Sequence, residues 1–380
     1  MGVMLFTSGT TSKSKAVMLS HANICTNVYD ISSVFDINKN DTLLSFLPLH
    51  HTYEATVTFI NSFSVGSAIA FCDGLRHIAD NLKEYKISVM ISVPLLFESM
   101  YKKVLKTIDE KGKTKKVKIG IALTKVLRKI GIDKRREIFK EIHESFGGEL
   151  RLCVTGAAAL DRETEKGFNE LGIELYQGYG LTEASPVVAA EHRTVHRFGS
   201  IGQLFSSLEG KVIDKNKMGI GELVIKGPSV MLGYYNNEEA TKETFTEDGY
   251  LKTGDLGYFD KDGYFFVTGR KKDVIVLKNG KNVFPDEIEI LINRLPGVKE
   301  SFVYGKPEKD DKDDLKICAK IVYDEENVIK EKLWQQIKEE VNKKVPTYKY
   351  IKEILVTNKA LIKTTTQKIK RFEEYKTVVK

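Results

Sequence analysis

Leu5-Phe6-Thr7-Ser8-Gly9-Thr10-Thr11-Ser12-Lys13-Ser14-Lys15 is an apolar run that opens directly into hydroxyls, one glycine and two lysines. Hydroxyls, backbone N–H groups and ammonium groups converging after a strand are what a polyphosphate requires. The spacing is not that of a Walker A loop, and no G-x-G-x-x-G occurs in the chain. Working outward, Val3–Phe6, Thr42–Phe46, Ala68–Phe71 and Val89–Val93 read as strands and Ser20–Val34 as a helix. Strand alternating with helix predicts an α/β domain with a largely parallel sheet.

The basic segment 102–140 reads as helices joined at Gly112 and Gly131. Strand signals return at Leu150–Thr155, Glu174–Tyr176 and Glu222–Ile225, and frequent glycines from Gly199 onward predict a small β-rich subdomain or barrel. Tyr258–Asp260 and Tyr264–Thr268 flank Lys261-Asp262-Gly263 as a hairpin. The polar run Gly269-Arg270-Lys271-Lys272-Asp273 then marks a boundary, dividing the chain into a large domain, 1–269, and a small α+β domain, 270–380. Within the latter, Asp286–Asn293 and Val328–Lys344 have helical periodicity, while Ser301–Tyr304, Ile317–Val322 and Ile354–Thr357 fit strands.

With 380 residues, 42% of them hydrophobic and 29% charged, the chain is long enough for two or three cores, which excludes a disordered tail or a small stapled scaffold. Its net charge of +7 is unevenly placed: residues 102–140 carry fifteen Lys or Arg against four acids, a local +11 on an otherwise acidic chain. No zinc-finger spacing or RNP-type aromatic motif accompanies those lysines, so no nucleic-acid partner is expected. Cys25, Cys72, Cys153 and Cys318 stand far apart, which argues against a disulfide framework or a zinc site and for a reducing, cytoplasmic setting. The charge-free window Ala55–Cys72 is too polar for a membrane span and predicts a buried helix and strand. Met1 is not followed by the basic flank and apolar core of a secretory leader.

Three further segments carry chemistry. Tyr176-Gln177-Gly178-Tyr179-Gly180-Leu181-Thr182-Glu183 offers glycines for close backbone approach and a hard oxygen ligand suited to magnesium. Gly249-Tyr250-Leu251-Lys252-Thr253-Gly254-Asp255, with Arg270 beyond it, supplies a carboxylate and a guanidinium for ribose hydroxyls. Lys363-Thr364-Thr365-Thr366-Gln367-Lys368-Ile369-Lys370-Arg371 is, on composition alone, a solvated basic tail.

In this order the four segments resemble the AMP-forming adenylate ligase superfamily of acyl-CoA synthetases, luciferases and peptide-synthetase adenylation domains. Gly221-Glu222-Leu223, Gly233-Tyr234 and Val283-Phe284-Pro285-Asp286-Glu287 extend the resemblance over almost the whole chain, and the C-terminal segment is most similar to that of the long-chain fatty-acid branch. The resemblance implies a mobile C-terminal domain and a two-step reaction: ATP and a fatty acid give acyl-AMP, then coenzyme A displaces AMP. Thr7, Ser8, Gly9, Thr10, Thr11 and Lys15 match the loop over the β- and γ-phosphates, and Thr7 and Glu183 match magnesium-contacting positions, with Thr182 beside them. Gly156, Ala157, Ala158, Gln177, Gly178 and Tyr179 match the adenine pocket, and Asp255 and Arg270 the ribose pair. His51 matches a gate near the acyl site, or is a histidine without such a role. Lys272 matches the hinge, Lys368 the adenylating lysine, and Gly280 the loop lining the thiol's approach.

The chemistry accounts for these residue types. A carboxylate attacking the α-phosphate brings two anions together, so Mg²⁺, lysine and the phosphate loop must neutralise both the nucleophile and the departing pyrophosphate. The chain also departs from the family pattern. Ser12, Ser14 and Ala16 stand where Gly, Pro and Gly are usual, Gln367 replaces a common glycine, and Val276 stands where a lysine is frequent, with Lys278 nearby. The sequence starts at the strand of the phosphate loop, whereas family members carry a substantial region ahead of it. The expectation is therefore uncovered apolar surface or a separate N-terminal chain as partner. Two other readings stay open: a catalytically deficient nucleotide-binding fragment, and an acyl-AMP ligase that loads a carrier protein. The basic segment 102–140 reads either as a solvated helical face or as a peripheral contact with anionic membrane at its inner face.

Overall fold

The computed structural model describes residues 1–7, 14–308, 314–323, 330–364 and 368–379. The chain divides into two compact units, one comprising Met1–Lys211, Val224–Lys252 and Phe259–Phe266, the other Val212–Leu223, Thr253–Tyr258 and Val267–Lys380. The fold is mixed α/β.

In the first unit, β1 (Val3–Thr7) pairs antiparallel with β2 (Lys15–Leu19), with Phe6 opposite Ala16 and Thr7 opposite Lys15. The opening strand therefore lies outside the parallel sheet that the sequence pattern assigned it to. The connection between β1 and β2 is shorter than the dozen or so residues a parallel crossover needs, so a hairpin is the accessible pairing. Ala16 sits in regular β2 without a left-handed backbone, so the alanine costs no conformational freedom there. Helix His21–Val34 follows, with Ser20 and Asn23 forming a reciprocal capping box. Its buried Asn27 accepts from the Val187 N–H and donates to the Val187 carbonyl, at 3.1 and 2.6 Å, as a neighbouring strand would.

The central sheet has the order β4-β3-β5-β6-β7-β8-β9, built from β3 (Thr42–Ser45), β4 (Ala68–Phe71), β5 (Val89–Ser92), β6 (Leu152–Thr155), β7 (Glu174–Gly180), β8 (Val187–Ala190) and β9 (Gln203–Leu204). Strands β4, β3, β5, β6 and β7 are parallel, β8 pairs antiparallel with β7, and β9 pairs antiparallel with β8. All four residues of β5 and of β6 are buried, as expected of strands covered on both faces. Leu44, Met90, Cys153 and Leu175 share a core with Phe97 and Phe168 from the flanking helices Pro94–Glu110 and Arg162–Leu171. Within the window Ala55–Cys72 the helical part buries Thr56, Val57, Thr58, Asn61 and Ser62 but exposes Phe63 and Ser64, and β4 is an edge strand with Ala68 and Phe71 exposed; the expectation of a buried strand there fails because, among the described residues, β4 pairs with β3 alone. The basic segment forms helices that break at Gly112 and Gly131, both with left-handed backbones, and helix Thr114–Lys129 lies between them.

The following strands are β10 (Glu209–Ile213), β11 (Gly221–Lys226), β12 (Gly233–Tyr234), β13 (Leu251–Phe259) and β14 (Phe265–Arg270). They form an open sheet in the order β10-β11-β13-β14, not a closed barrel, and this sheet contributes residues to both units. Strand β12 instead pairs antiparallel with β2, Tyr234 opposite Val17.

In the second unit, β15 (Ile275–Val276) and β16 (Asn282–Val283) form a small antiparallel ladder. Strands β17 (Val298–Pro307), β18 (Leu315–Tyr323) and β19 (Glu353–Thr357) make a three-stranded sheet, the last pair parallel. Ile288 and Ile292 of helix Pro285–Asn293 pack with Val303, Ile321, Leu333, Ile337 and Val341 in one core, which explains the four-residue spacing of the last three. The C-terminal segment is anchored: Arg371 is four-fifths buried and its guanidinium donates to Glu289 and Asp286 and lies near Asp273. A solvated tail does not describe it. The four cysteines are free thiols, and no helix among the described residues is long and apolar enough to cross a membrane.

Candidate active site

Strand pairing sets the phosphate side of the first unit. Thr7 and Lys15 face each other across the mouth of the β1–β2 hairpin, and the Thr7 hydroxyl donates to the Lys15 carbonyl. Ser8, Gly9, Thr10 and Thr11 lie outside the described residues. Because β12 pairs with β2, the Tyr234 ring lies 4.7 Å from Lys15 Nζ, a cation–π contact. The same phenol donates a 2.9 Å hydrogen bond to Glu183 Oε1. Burial, with the Glu183 charge beside it, pushes the Tyr234 hydroxyl well above the usual tyrosine range, so it remains a donor. Glu183 lies in the turn Thr182–Ala184, where the Met231 N–H holds its carbonyl. The Thr52 hydroxyl donates to the Thr182 hydroxyl at 3.2 Å, which brings half-buried His51 into the same neighbourhood in sequence. Tyr234 thus links Glu183 and Lys15: its hydroxyl reaches the carboxylate suited to magnesium while its ring lies against the Lys15 ammonium.

Gly156, Ala157 and Ala158 follow the C-terminal end of β6, where ligands of open α/β sheets bind. Ala157 holds a left-handed backbone, φ 75°, rare for a residue with a Cβ. A Cβ on Gly156 would come within 3.2 Å of the Tyr53 ring, and the Tyr53 hydroxyl donates to the Val154 carbonyl. Buried Gln177 uses its side-chain oxygen to accept from the Leu160 N–H at 3.1 Å, so it braces this loop from β7. The two glycines of the β7 motif differ. A Cβ on Gly180 would lie 1.9 Å from the Pro186 carbonyl oxygen, whereas one on Gly178 meets nothing closer than 3.7 Å. Gly180 is required by the fold, and Gly178 leaves space beside half-exposed Tyr179.

Behind Gln177 lies a buried group that sequence reading did not single out. Glu191 accepts from the Gln177 and Arg197 N–H groups, and His196 Nε2 lies 2.7 Å from Glu165 Oε1. Glu165, Glu191 and His196 are close enough to hold a metal ion. Burial and the Glu165 charge raise the Glu191 carboxyl, which favours its neutral form.

The second unit holds the remaining residues. Asp255 is buried, and Arg270 Nε lies 3.1 Å from Asp255 Oδ1. Their strands are held in place by Glu222, which accepts from the Gly254 N–H at 3.1 Å and from Lys271 Nζ at 2.7 Å. Lys272 is exposed in the turn after β14, and Gly280 takes a left-handed backbone, φ 75°, in the turn between β15 and β16. Val276 is exposed on that ladder. Lys368 is exposed where its carbonyl accepts from the Thr364 N–H and its N–H donates to the Thr364 hydroxyl; Gln367 and its two predecessors lie outside the described residues.

Tyr234, Thr52 and Tyr53, which touch the candidate residues Glu183, Thr182 and Gly156, were not assigned to the site by sequence reading. Gly233-Tyr234 is visible as a motif, but nothing local in it announces a bond to Glu183 or a ring under Lys15.

Comparison with known proteins identifies the family. Residues 1–235 match the AMP-binding enzyme family and residues 287–368 the AMP-binding enzyme C-terminal domain. An Arabidopsis thaliana chloroplastic long-chain-fatty-acid–[acyl-carrier-protein] ligase, AEE15, is 30% identical over 80% of this chain and 49% of its own. The long-chain-fatty-acid–CoA ligase FadD15 of Mycobacterium bovis is 30% identical over 80% of this chain and 52% of its own. A probable 4-coumarate–CoA ligase 2 of Dictyostelium discoideum is 32% identical over 81% of this chain and 52% of its own. The chain thus spans about half the length of these relatives. Among solved structures, ATP-bound MatB from Rhodopseudomonas palustris superposes with a TM-score of 0.75 at 25% identity, covering 99% of this chain and 68% of that one.

Proposed function

The chain belongs to the AMP-binding enzyme family, and from that premise we propose that it activates a long-chain fatty acid with ATP and magnesium to acyl-AMP, then passes the acyl group to coenzyme A. The observation that carries this reading is the line Lys15–Tyr234–Glu183, which joins the phosphate-loop hairpin to a carboxylate fit for magnesium. Thr7 and Glu183 would contact the metal, whose role is to draw charge off the β- and γ-phosphates. Lys15 and the hairpin hydroxyls orient the same phosphates. Gly178 and the loop at Gly156–Ala158 give adenine a flat approach, with Tyr179 to stack on it. Asp255 and Arg270 hold the ribose. Lys368 brings a point charge to the attacking carboxylate and the α-phosphate. In the second step the thiol attacks the acyl carbonyl and AMP leaves; Lys272 serves as the hinge, and Gly280 lies beside the thiol's path.

The acid and the thiol rest on relatives whose names include long-chain fatty acids, coumarate, CoA and acyl-carrier protein. The test is AMP release by the full chain with ATP, magnesium and a panel of acids, with coenzyme A or a pantetheinylated carrier protein as acceptor. Release that requires a long-chain acid and coenzyme A is the expected result. Preference for a hydroxycinnamate or for the carrier protein overturns the corresponding half of the assignment. Release with no acid or acceptor overturns it entirely.

A further inference from the structure

Helix Thr114–Lys129 turns its lysines and a row of apolar side chains outward together. Val117, Gly120, Ile121, Thr124 and Leu127 face inward, and a Cβ on Gly120 would already press on Ile138 and Phe139 at 3.1 Å. On another face Ile119, Leu123, Val126 and Ile130 are 68%, 51%, 62% and 67% exposed. Their spacing, four, three and four residues, keeps them in one stripe along the helix and its C-cap. Ile132, also exposed, continues the stripe beyond the helix end. The helix contains six Lys or Arg and no acid. At about 100° per residue, Lys116 borders the stripe on one side and Lys115, Lys118 and Lys129 on the other. Among the described residues these four make no ion pair, while Lys125, on the flank, pairs with Glu170. Acids that flank the helix in sequence have other partners: Glu110 with Lys106, Asp109 with the Thr114 hydroxyl, Asp133 with Arg135, Glu137 with Lys134 and Glu141 with Lys113.

We propose that this face lies on an anionic lipid surface, with the isoleucines, leucine and valine entering the acyl boundary and the bordering lysines on the headgroups. An exposed apolar stripe between unpaired lysines matches what an interfacial helix requires, area to bury and positive charge at headgroup depth. A solvated face does not need the stripe, and a second copy of the chain would have to bring the same lysines together. The surface is separate from the residues assigned to nucleotide and acyl transfer, so it stands or falls independently of that reaction.

The test uses the full chain and vesicles of phosphatidylcholine with or without phosphatidylglycerol. Leu123→Trp places a second tryptophan on the face, Trp334 being the single native one. The expected result is a blue shift and at least tenfold tighter binding with phosphatidylglycerol, weakened by salt. Ile119→Ser with Val126→Ser, and separately Lys115→Glu with Lys118→Glu, should each cut binding at least tenfold while leaving the circular dichroism spectrum and thermal midpoint unchanged, since these side chains point outward. Binding indifferent to phosphatidylglycerol, or no binding, overturns the proposal. So does concentration-dependent dimerisation abolished by the serine variants, which would give the face to a second copy.

Discussion

The Tyr234 hydroxyl donates to Glu183 Oε1 at 2.9 Å while its ring lies beneath the Lys15 ammonium. One side chain thus fixes the spacing between a carboxylate fit for magnesium and a lysine fit for phosphate. Tyr234→Phe removes only the hydroxyl. A hydrogen bond to a charged group contributes about 1.5–3 kcal/mol, so the magnesium concentration that half-saturates ATP binding should rise about tenfold or more. Metal-free nucleotide binding should change little. Calorimetric titration of ATP at stepped magnesium concentrations separates the two, and an unchanged magnesium dependence would leave Tyr234 a packing residue.

The two glycines of β7 give an opposed pair of expectations. Gly180→Ala drives a Cβ into the Pro186 carbonyl oxygen and should cost about 3 kcal/mol, read as a lower denaturant midpoint at unchanged slope. Gly178→Ala fits the fold, so its midpoint should stay within about 0.5 kcal/mol of the parent while its affinity for ATP falls. A destabilised Gly178→Ala with normal ATP binding would remove Gly178 from the nucleotide pocket.

Buried Glu54 accepts from the Ser45 and Thr58 hydroxyls, yet loss of water pushes its carboxyl up to about 7. A raised carboxyl pKa means the folded state holds the proton more tightly than the unfolded chain. Its stabilising contribution is therefore complete below the unfolded value near 4.5 and is lost as pH rises through about 7. Glu54→Gln should consequently gain on the parent by about 2 kcal/mol between about pH 5 and about pH 8.5. Denaturant titrations across that range check it, and a constant gap would show that Glu54 is ionised throughout.

How much of this was legible beforehand follows from physical range. Val89–Val93 and Leu150–Thr155 read as strands because residues buried on both faces form unbroken apolar runs, and Leu333, Ile337 and Val341 read as one helical face. Lys15–Leu19 did not read as a strand, since its lysine belongs equally to a loop, and its identity comes from pairing with Val3–Thr7 and with Tyr234. Asp255 and Arg270 read as a pair because each stands in a glycine-containing motif, and adjacent strands of one sheet, β13 and β14, carry them. Tyr234–Glu183 and Gln177–Leu160 were not, because a side-chain contact across the fold leaves no local spacing to read.

Lys368 lies in the second unit beside Thr364. Under the proposed reaction it serves acyl-AMP formation and not thiol attack. Lys368→Ala should therefore reduce acid-dependent pyrophosphate exchange about a hundredfold or more, while transfer from supplied acyl-AMP to coenzyme A changes less than about threefold. Equal loss in both assays would assign Lys368 to binding common to the two steps.

Joining a fatty carboxylate to AMP is the step we propose for this chain. Exchange of labelled pyrophosphate into ATP by the full chain, with magnesium and with or without a long-chain fatty acid, tests it without requiring any thiol. Exchange that depends on both the acid and magnesium is the expected result. Failure to exchange by a chain that demonstrably binds ATP and the fatty acid, or exchange indifferent to the acid, would contradict it.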